Sequence, residues 1–173
     1  VLWLWILHPE YGVVNKALMA LGFTNPPLWF QSETWSKPAL IFMSLWGVGG
    51  TVVIFLAGLK SIPKELYEAA EIDGAGAWRQ FVHITVPLLT PTIFFVLVAG
   101  LIGSFQVFTQ AFVASGGQGG PLDSTLFYVF YLYRKGFEDF EMGYASALAW
   151  VLFAVIFLFT LIQLKLAKRW VHY

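Results

Sequence analysis

Lys60–Pro87 reads KSIPKELYEAAEIDGAGAWRQFVHITVP, a long polar passage with an apolar segment of bilayer-crossing length on either side. Pro63 suits the first turn of a helix, where its missing N–H costs nothing, and Glu65 suits the positive end of the dipole. Leu66, Ala69 and Ala70 recur at helical spacing, while Lys64, Glu68 and Glu71 fall on another face at i, i+4 and i+7. Asp73-Gly74-Ala75-Gly76 reads as a turn, because glycine reaches backbone angles that other residues resist. A second short helix follows, with Trp78, Phe81 and Val82 on one side and Arg79, Gln80 and His83 elsewhere, and Pro87 closes the passage. Two short helices joined by a glycine turn, between two membrane spans, make a docking device.

The flanking chain agrees. Hydrophobic residues make up 58% and charged residues 12%, well outside the range of soluble domains. Pro38–Leu59 and Leu88–Ala114 carry no charge and are long enough to cross, as is Met142–Leu164. The predicted fold is therefore an all-α integral membrane bundle with spans at about 38–59, 88–114 and 142–164. Val1–Leu7 is apolar but too short to span, so it is expected to be the end of a fourth span whose beginning is missing. A loop is expected at 60–87 and another at 115–141. Trp29 and Trp35 bracket the start of the first full span, as headgroup-level aromatics do.

Within the spans, Gly47, Gly49 and Gly50 suit helix packing or room for a passing solute. Ser104, Gln106, Thr109 and Gln110 bring polarity to the second span; an amide in hydrocarbon is costly, so Gln106 is expected to face protein or water. Ser115–Pro121 (SGGQGGP) has four glycines but no GK[ST] ending, which excludes a phosphate-cradling loop. Asp123-Ser124-Thr125 is placed to cap a short helix through Tyr133, whose aromatics fit an interface.

Other chemistries find no residues. The chain has no cysteine, and His8, His83 and His172 are far apart, so each reads as an interfacial or helix-surface residue and no metal site is expected. A net charge of zero gives no reason to expect nucleic acid. No span contains Asp, Glu, Lys, Arg or His, which counts against an intramembrane enzyme. Lys60, Lys64, Arg79, Lys165, Lys168 and Arg169 fall on one side of the membrane, and Lys16, Lys37, Arg134 and Lys135 on the other. The positive-inside rule puts the 60–87 loop and the C-terminus in the cytoplasm.

Glu68-Ala69-Ala70, three residues, Gly74, nine residues, then Ile84-Thr85-Val86-Pro87 resembles the EAA motif of binding-protein-dependent ABC importer permeases. "LYEAAEIDGAGAWRQF" resembles the carbohydrate branch, the maltose-type and glycerol-3-phosphate-type subunits, with Val86 where leucine is usual. Tyr11-Gly12-Val13-Val14-Asn15 is similar to the family's YGxxN, Gly119-Gly120-Pro121 to its outer-loop GGP, and Gly143–Ala147 to the start of its last helix. The resemblance covers nearly the whole chain and leaves out the family's first two membrane helices. It implies that the 60–87 loop is a coupling helix seated on a cytoplasmic ATPase, with Glu68, Ala69, Ala70, Asp73, Gly74, Trp78 and Phe81 as the coupling residues. Glu68 would meet an arginine on that partner; the alternative is that the acidic residues form a solvated face. Trp46, Gly47, Ser104 and Gln106 would lie along the solute path. The implied assembly has two ATPase subunits, a second permease subunit and an extracytoplasmic solute-binding protein. It would move a sugar or sugar-like solute, with ATP held by the partners and no cofactor in this chain. The rival reading is a non-transporting structural subunit or a degenerate permease copy.

Overall fold

The computed structural model describes residues 1–171, so His172, expected to be interfacial, lies outside the described residues. These residues form α1 (Leu2–Ile6), α2 (Val13–Ala20), α3 (Glu33–Trp46), α4 (Gly49–Lys60), α5 (Lys64–Ile72), α6 (Ala77–Gln80), α7 (Val86–Phe105), α8 (Thr109–Ala114), α9 (Tyr128–Tyr133) and α10 (Met142–Ala167). No strand occurs among them. Two helices, Ala77–Phe105 and Met142–Ala167, are long and apolar enough to cross a membrane, and α3 with α4 makes a third if the broken pair is one span. Only 11% and 6% of the two apolar windows is buried within the chain, which leaves the rest for lipid or neighbouring helices.

The helix boundaries depart from the expected spans at identifiable residues. The first span breaks at Gly47-Val48, among three glycines that lower helix stability. A Cβ at Gly49 or Gly50 would meet nothing within 4 Å, so packing within the chain is not what those two provide. Close packing falls at Gly58, where a Cβ would come within 2.8 Å of Thr92 Oγ1 and 3.0 Å of Leu89 Cδ2. The second span ends at Phe105 rather than Ala114: Phe108 leaves helical geometry (φ −137°, ψ −67°) and α8 starts afresh.

Pro87 closes the polar passage in sequence but does not end the helix. The helix runs on from Ala77 through a π turn at Phe81–Thr85, closed by the Val86 N–H to the Phe81 carbonyl. Widening the turn accommodates a residue that cannot donate and whose ring crowds the carbonyl one turn back. Pro91, four residues further on, strands the Pro87 carbonyl in the same way, and the Thr90 hydroxyl donates to it at 2.7 Å.

The chain divides into two compact units. One comprises Val1–Gly47 with Ser104–Leu152, the other Val48–Gly103 with the residues from Phe153 on. The first has two apolar clusters. Leu7, Trp29 and Ala39 are buried among Trp3, Ile6, Val14, Leu18 and Phe30. Leu40, Ala111 and Phe130 are buried among aromatics that include Phe108 and Phe112. Two interface expectations change here. Phe130 is fully buried, and Trp29 is a core residue whose ring meets Trp35 edge-on at 5.7 Å. Trp35 alone of that pair stays exposed.

Asn15 holds this unit's first segment together. Its Nδ2 donates to the Pro9 and Pro27 carbonyls, both at 2.9 Å, and its Oδ1 accepts from Trp29 Nε1 at 2.7 Å. Gly12 is a close approach: a Cβ there would come within 2.6 Å of His8 N and the Ile6 carbonyl. His8 stacks on Tyr11 and its Nδ1 accepts from the Glu10 N–H at 3.2 Å, a local structural role.

Asp123-Ser124-Thr125 does not cap α9, which starts at Tyr128 behind Phe127 with no side-chain cap. Leu122 and Asp123 sit at φ +49° and +54°, which turns the chain away from a helical start. Asp123 instead lies 3.6 Å from the Arg134 guanidinium, and Ser124 meets the buried Ser36 hydroxyl at 2.9 Å. Lys135 pairs with Asp139 at 2.9 Å, and that carboxylate holds its ammonium above the usual lysine range.

Candidate functional site

The second unit carries the polar passage. α5 ends where the sequence places a turn, in a Schellman arrangement: the Ala75 N–H reaches the Ala70 carbonyl at 2.8 Å and the Gly74 N–H the Glu71 carbonyl at 3.0 Å. Gly74 sits at φ +75° with nothing within 4 Å of a would-be Cβ, so its backbone angle, not space, demands glycine. Gln80 Nε2 donates back to the Ala75 carbonyl at 3.0 Å, which fixes α6 to the turn. His83 Nδ1 donates to the Arg79 carbonyl at 3.0 Å, again a local role.

The expected coupling residues separate into two groups. Glu68, Ala69 and Asp73 are exposed, and Glu68 takes part in none of the ion pairs among the described residues. Ala70 is half-buried and its carbonyl receives the turn. Trp78 is 77% exposed and stacks on Phe81 with ring centroids 5.7 Å apart. Ile72, not singled out from the sequence, is 87% exposed. Its signal was present: an isoleucine four residues after Glu68, on an otherwise charged face. Glu68 and Ile72 lie one turn apart on α5, both exposed, and Trp78 is exposed on α6.

Tyr67 and Thr85 were also missed. Their hydroxyls lie 2.8 Å apart, and Thr85 is buried. Neither residue stands out in a single sequence, because the contact joins positions on separate helices.

The model of the family described as "Binding-protein-dependent transport system inner membrane component" matches residues 1–172. The chain belongs to this family. As an inner-membrane component it is 48% identical over 162 residues to a probable ABC transporter permease protein, YesP, of Bacillus subtilis, covering 94% of this chain and 52% of the relative. It is 39% identical to the sulfoquinovosyl glycerol transport system permease protein SmoG of Agrobacterium fabrum, covering 95% of this chain and 53% of that one. A crystal structure of a bacterial ABC transporter involved in the import of alginate matches with a TM-score of 0.82 and 27% identity, over 97% of this chain and 58% of that one. The chain thus spans about half the length of the relatives it matches.

In this family member the four expected path residues all lie in the first unit. Trp46 is 80% exposed, with Trp3 edge-on at 6.1 Å. Gly47 marks the break before α4, and Ser104 and Gln106 are exposed at the end of α7, not in mid-span. This unit has cavities of about 270 and 220 Å³, the second lined by Trp3, Met43, Thr109 and Gln110 among others. None of the four lines either cavity.

Gly74→Val is expected to strain the turn by about 1–2 kcal/mol, the cost of forcing a side-chain residue into the left-handed region. Amide exchange at Ala75, whose N–H the turn protects, should quicken by roughly 5- to 30-fold. Gly74→Asn, which tolerates that region, should quicken it less. Equal exchange in the two variants would show that the backbone angle is not what the glycine supplies.

Proposed function

We propose that this chain is part of a permease subunit of an ATP-driven sugar importer, and that Lys60–Pro87 couples it to a cytoplasmic ATPase. The observation that carries this reading is the exposed set Glu68, Ala69, Ile72 and Trp78 on a loop braced by its own hydrogen bonds. A scaffold subunit has no use for such a surface. The sugar-like solute rests on what relatives are named for, sulfoquinovosyl glycerol, arabinooligosaccharides and lactose among them. ATP closes two ATPase subunits, the loop carries their movement into the membrane helices, and the solute site faces the two sides alternately. A second permease subunit completes the path and an extracytoplasmic binding protein delivers solute. The loop and the C-terminus face the cytoplasm, in keeping with the Lys and Arg count.

The test is to express the full-length protein with the ATPase, permease and binding-protein genes beside it. The ATPase should co-purify in detergent. Proteoliposomes should take up at least one labelled sugar from a panel of mono- and oligosaccharides, only with ATP inside. No ATPase in the purified complex would overturn the coupling role, and ATP-driven uptake of a non-carbohydrate alone would overturn the solute class.

A further inference from the structure

We infer that the Tyr67–Thr85 hydroxyl pair is the positioning contact through which movement of α5 reaches α7. This rests on the coupling role proposed above and adds the residues that carry the movement. Tyr67 precedes Glu68 on α5 but is half-buried where Glu68 is exposed. Its hydroxyl lies 2.8 Å from Thr85 Oγ1, and Thr85 is 7% exposed. A threonine within a helix ordinarily turns its hydroxyl to a carbonyl one turn back, which joins nothing to anything else. Here the hydroxyl is paired across to a second helix, at the last residue of the π turn and directly before α7.

The place of this pair matters because the covalent route from α5 to α7 passes the Gly74 turn before the helix runs on from Ala77. It then runs through four residues of α6 and a π turn. It ends at Pro87, which contributes no N–H to the helix. The Schellman bonds and the Gln80–Ala75 bond stiffen the tip, but both lie within 70–80 and reach neither Thr85 nor α7. The hydroxyl pair bypasses the turn, linking residues eighteen apart in sequence. A push on α5 then arrives at the base of α7 without first compressing the turn between them. Removing either hydroxyl strands the other, so both single substitutions break the same hydrogen bond.

The experiment uses the full-length complex with its ATPase in nanodiscs. Spin labels go on Glu65→Cys and Leu97→Cys, both exposed, in a stretch with no native cysteine. Pulsed EPR should give a narrow α5–α7 distance distribution in the wild type. Tyr67→Phe and Thr85→Val should each widen it at least twofold and lower transport per ATP hydrolysed, with the ATPase still bound. The double variant should be no wider than either single one, and Thr85→Ser should restore the wild-type width. A wild-type width in Tyr67→Phe with the ATPase bound overturns this inference alone, as does a double variant wider than both singles. A wild-type complex that holds no ATPase overturns the coupling reading itself.

Discussion

Glu68→Lys is expected to abolish uptake by the assembled importer while the chain still inserts and folds. Glu68 is exposed and none of the ion pairs among the described residues includes it, so the substitution breaks no ion pair among them. Such surface changes stay within about 0.5 kcal/mol of stability. Against a partner the effect is large. Breaking a desolvated carboxylate–guanidinium pair at an interface costs about 2–5 kcal/mol, or roughly 30- to 5,000-fold in affinity. Lysine would then add repulsion where the proposed coupling role has the glutamate meet an arginine. Glu71→Lys supplies the control, since it makes the same charge change three residues on, at one of the three unspecified positions between Ala70 and Gly74. Co-purified ATPase and sugar uptake should both fall for Glu68→Lys and remain for Glu71→Lys. Normal uptake in Glu68→Lys would return the acidic face of α5 to a solvated surface.

What could be read beforehand followed from local chemistry. α5 and its turn were legible because the alanines and Gly74 favour the conformations they adopt, while Pro63 stands just before the first turn, as the N-cap (φ −60°, ψ 135°), rather than in it. α10 was legible because no charged residue interrupts the predominantly apolar run from Met142 to Leu164. The misplaced boundaries lie where local signals conflict. Pro87 signals a helix end, but the π turn before it and the Thr90 hydroxyl after it carry the helix through. Gly47, Gly49 and Gly50 are compatible with packing or with a break, and only the backbone distinguishes them. Tertiary partnerships were the least legible. The sequence around Asp123 offers an N-cap, yet its carboxylate goes to Arg134, eleven residues away. Tyr67 and Thr85 become a pair only when α5 and the π turn are brought side by side. Glu68 and Trp78, which the family resemblance picks out, are exposed, while Ile72 needed the structure to show that it faces outward.

Asn15→Ala is expected to loosen the segment from Pro9 to Trp29 while leaving the 60–87 loop intact. Asn15 is fully buried, and one side chain satisfies three groups, the Pro9 and Pro27 carbonyls and the Trp29 indole N–H. Removing it leaves all three without that partner, at about 1–3 kcal/mol for each group that stays buried. Water entering as the segment opens recovers part of this, so the expected loss is about 3–5 kcal/mol of local stability. Trp29 then has no reason to remain in the Leu7–Ala39 cluster, which joins the end of α1 to the start of α3. Asn15→Asp separates the contributions: it keeps an acceptor for Trp29 but forfeits both donated bonds and buries a charge, so it should be at least as damaging. Lys16→Ala, one residue on and exposed, should be near neutral. Amide exchange across 9–31 should rise by two orders of magnitude or more in Asn15→Ala. Exchange at Ala75 should not change, because its partner Ala70 and the whole turn belong to the second unit. Wild-type protection across 9–31 would show that apolar packing around Leu7 and Trp29 holds the segment without the amide.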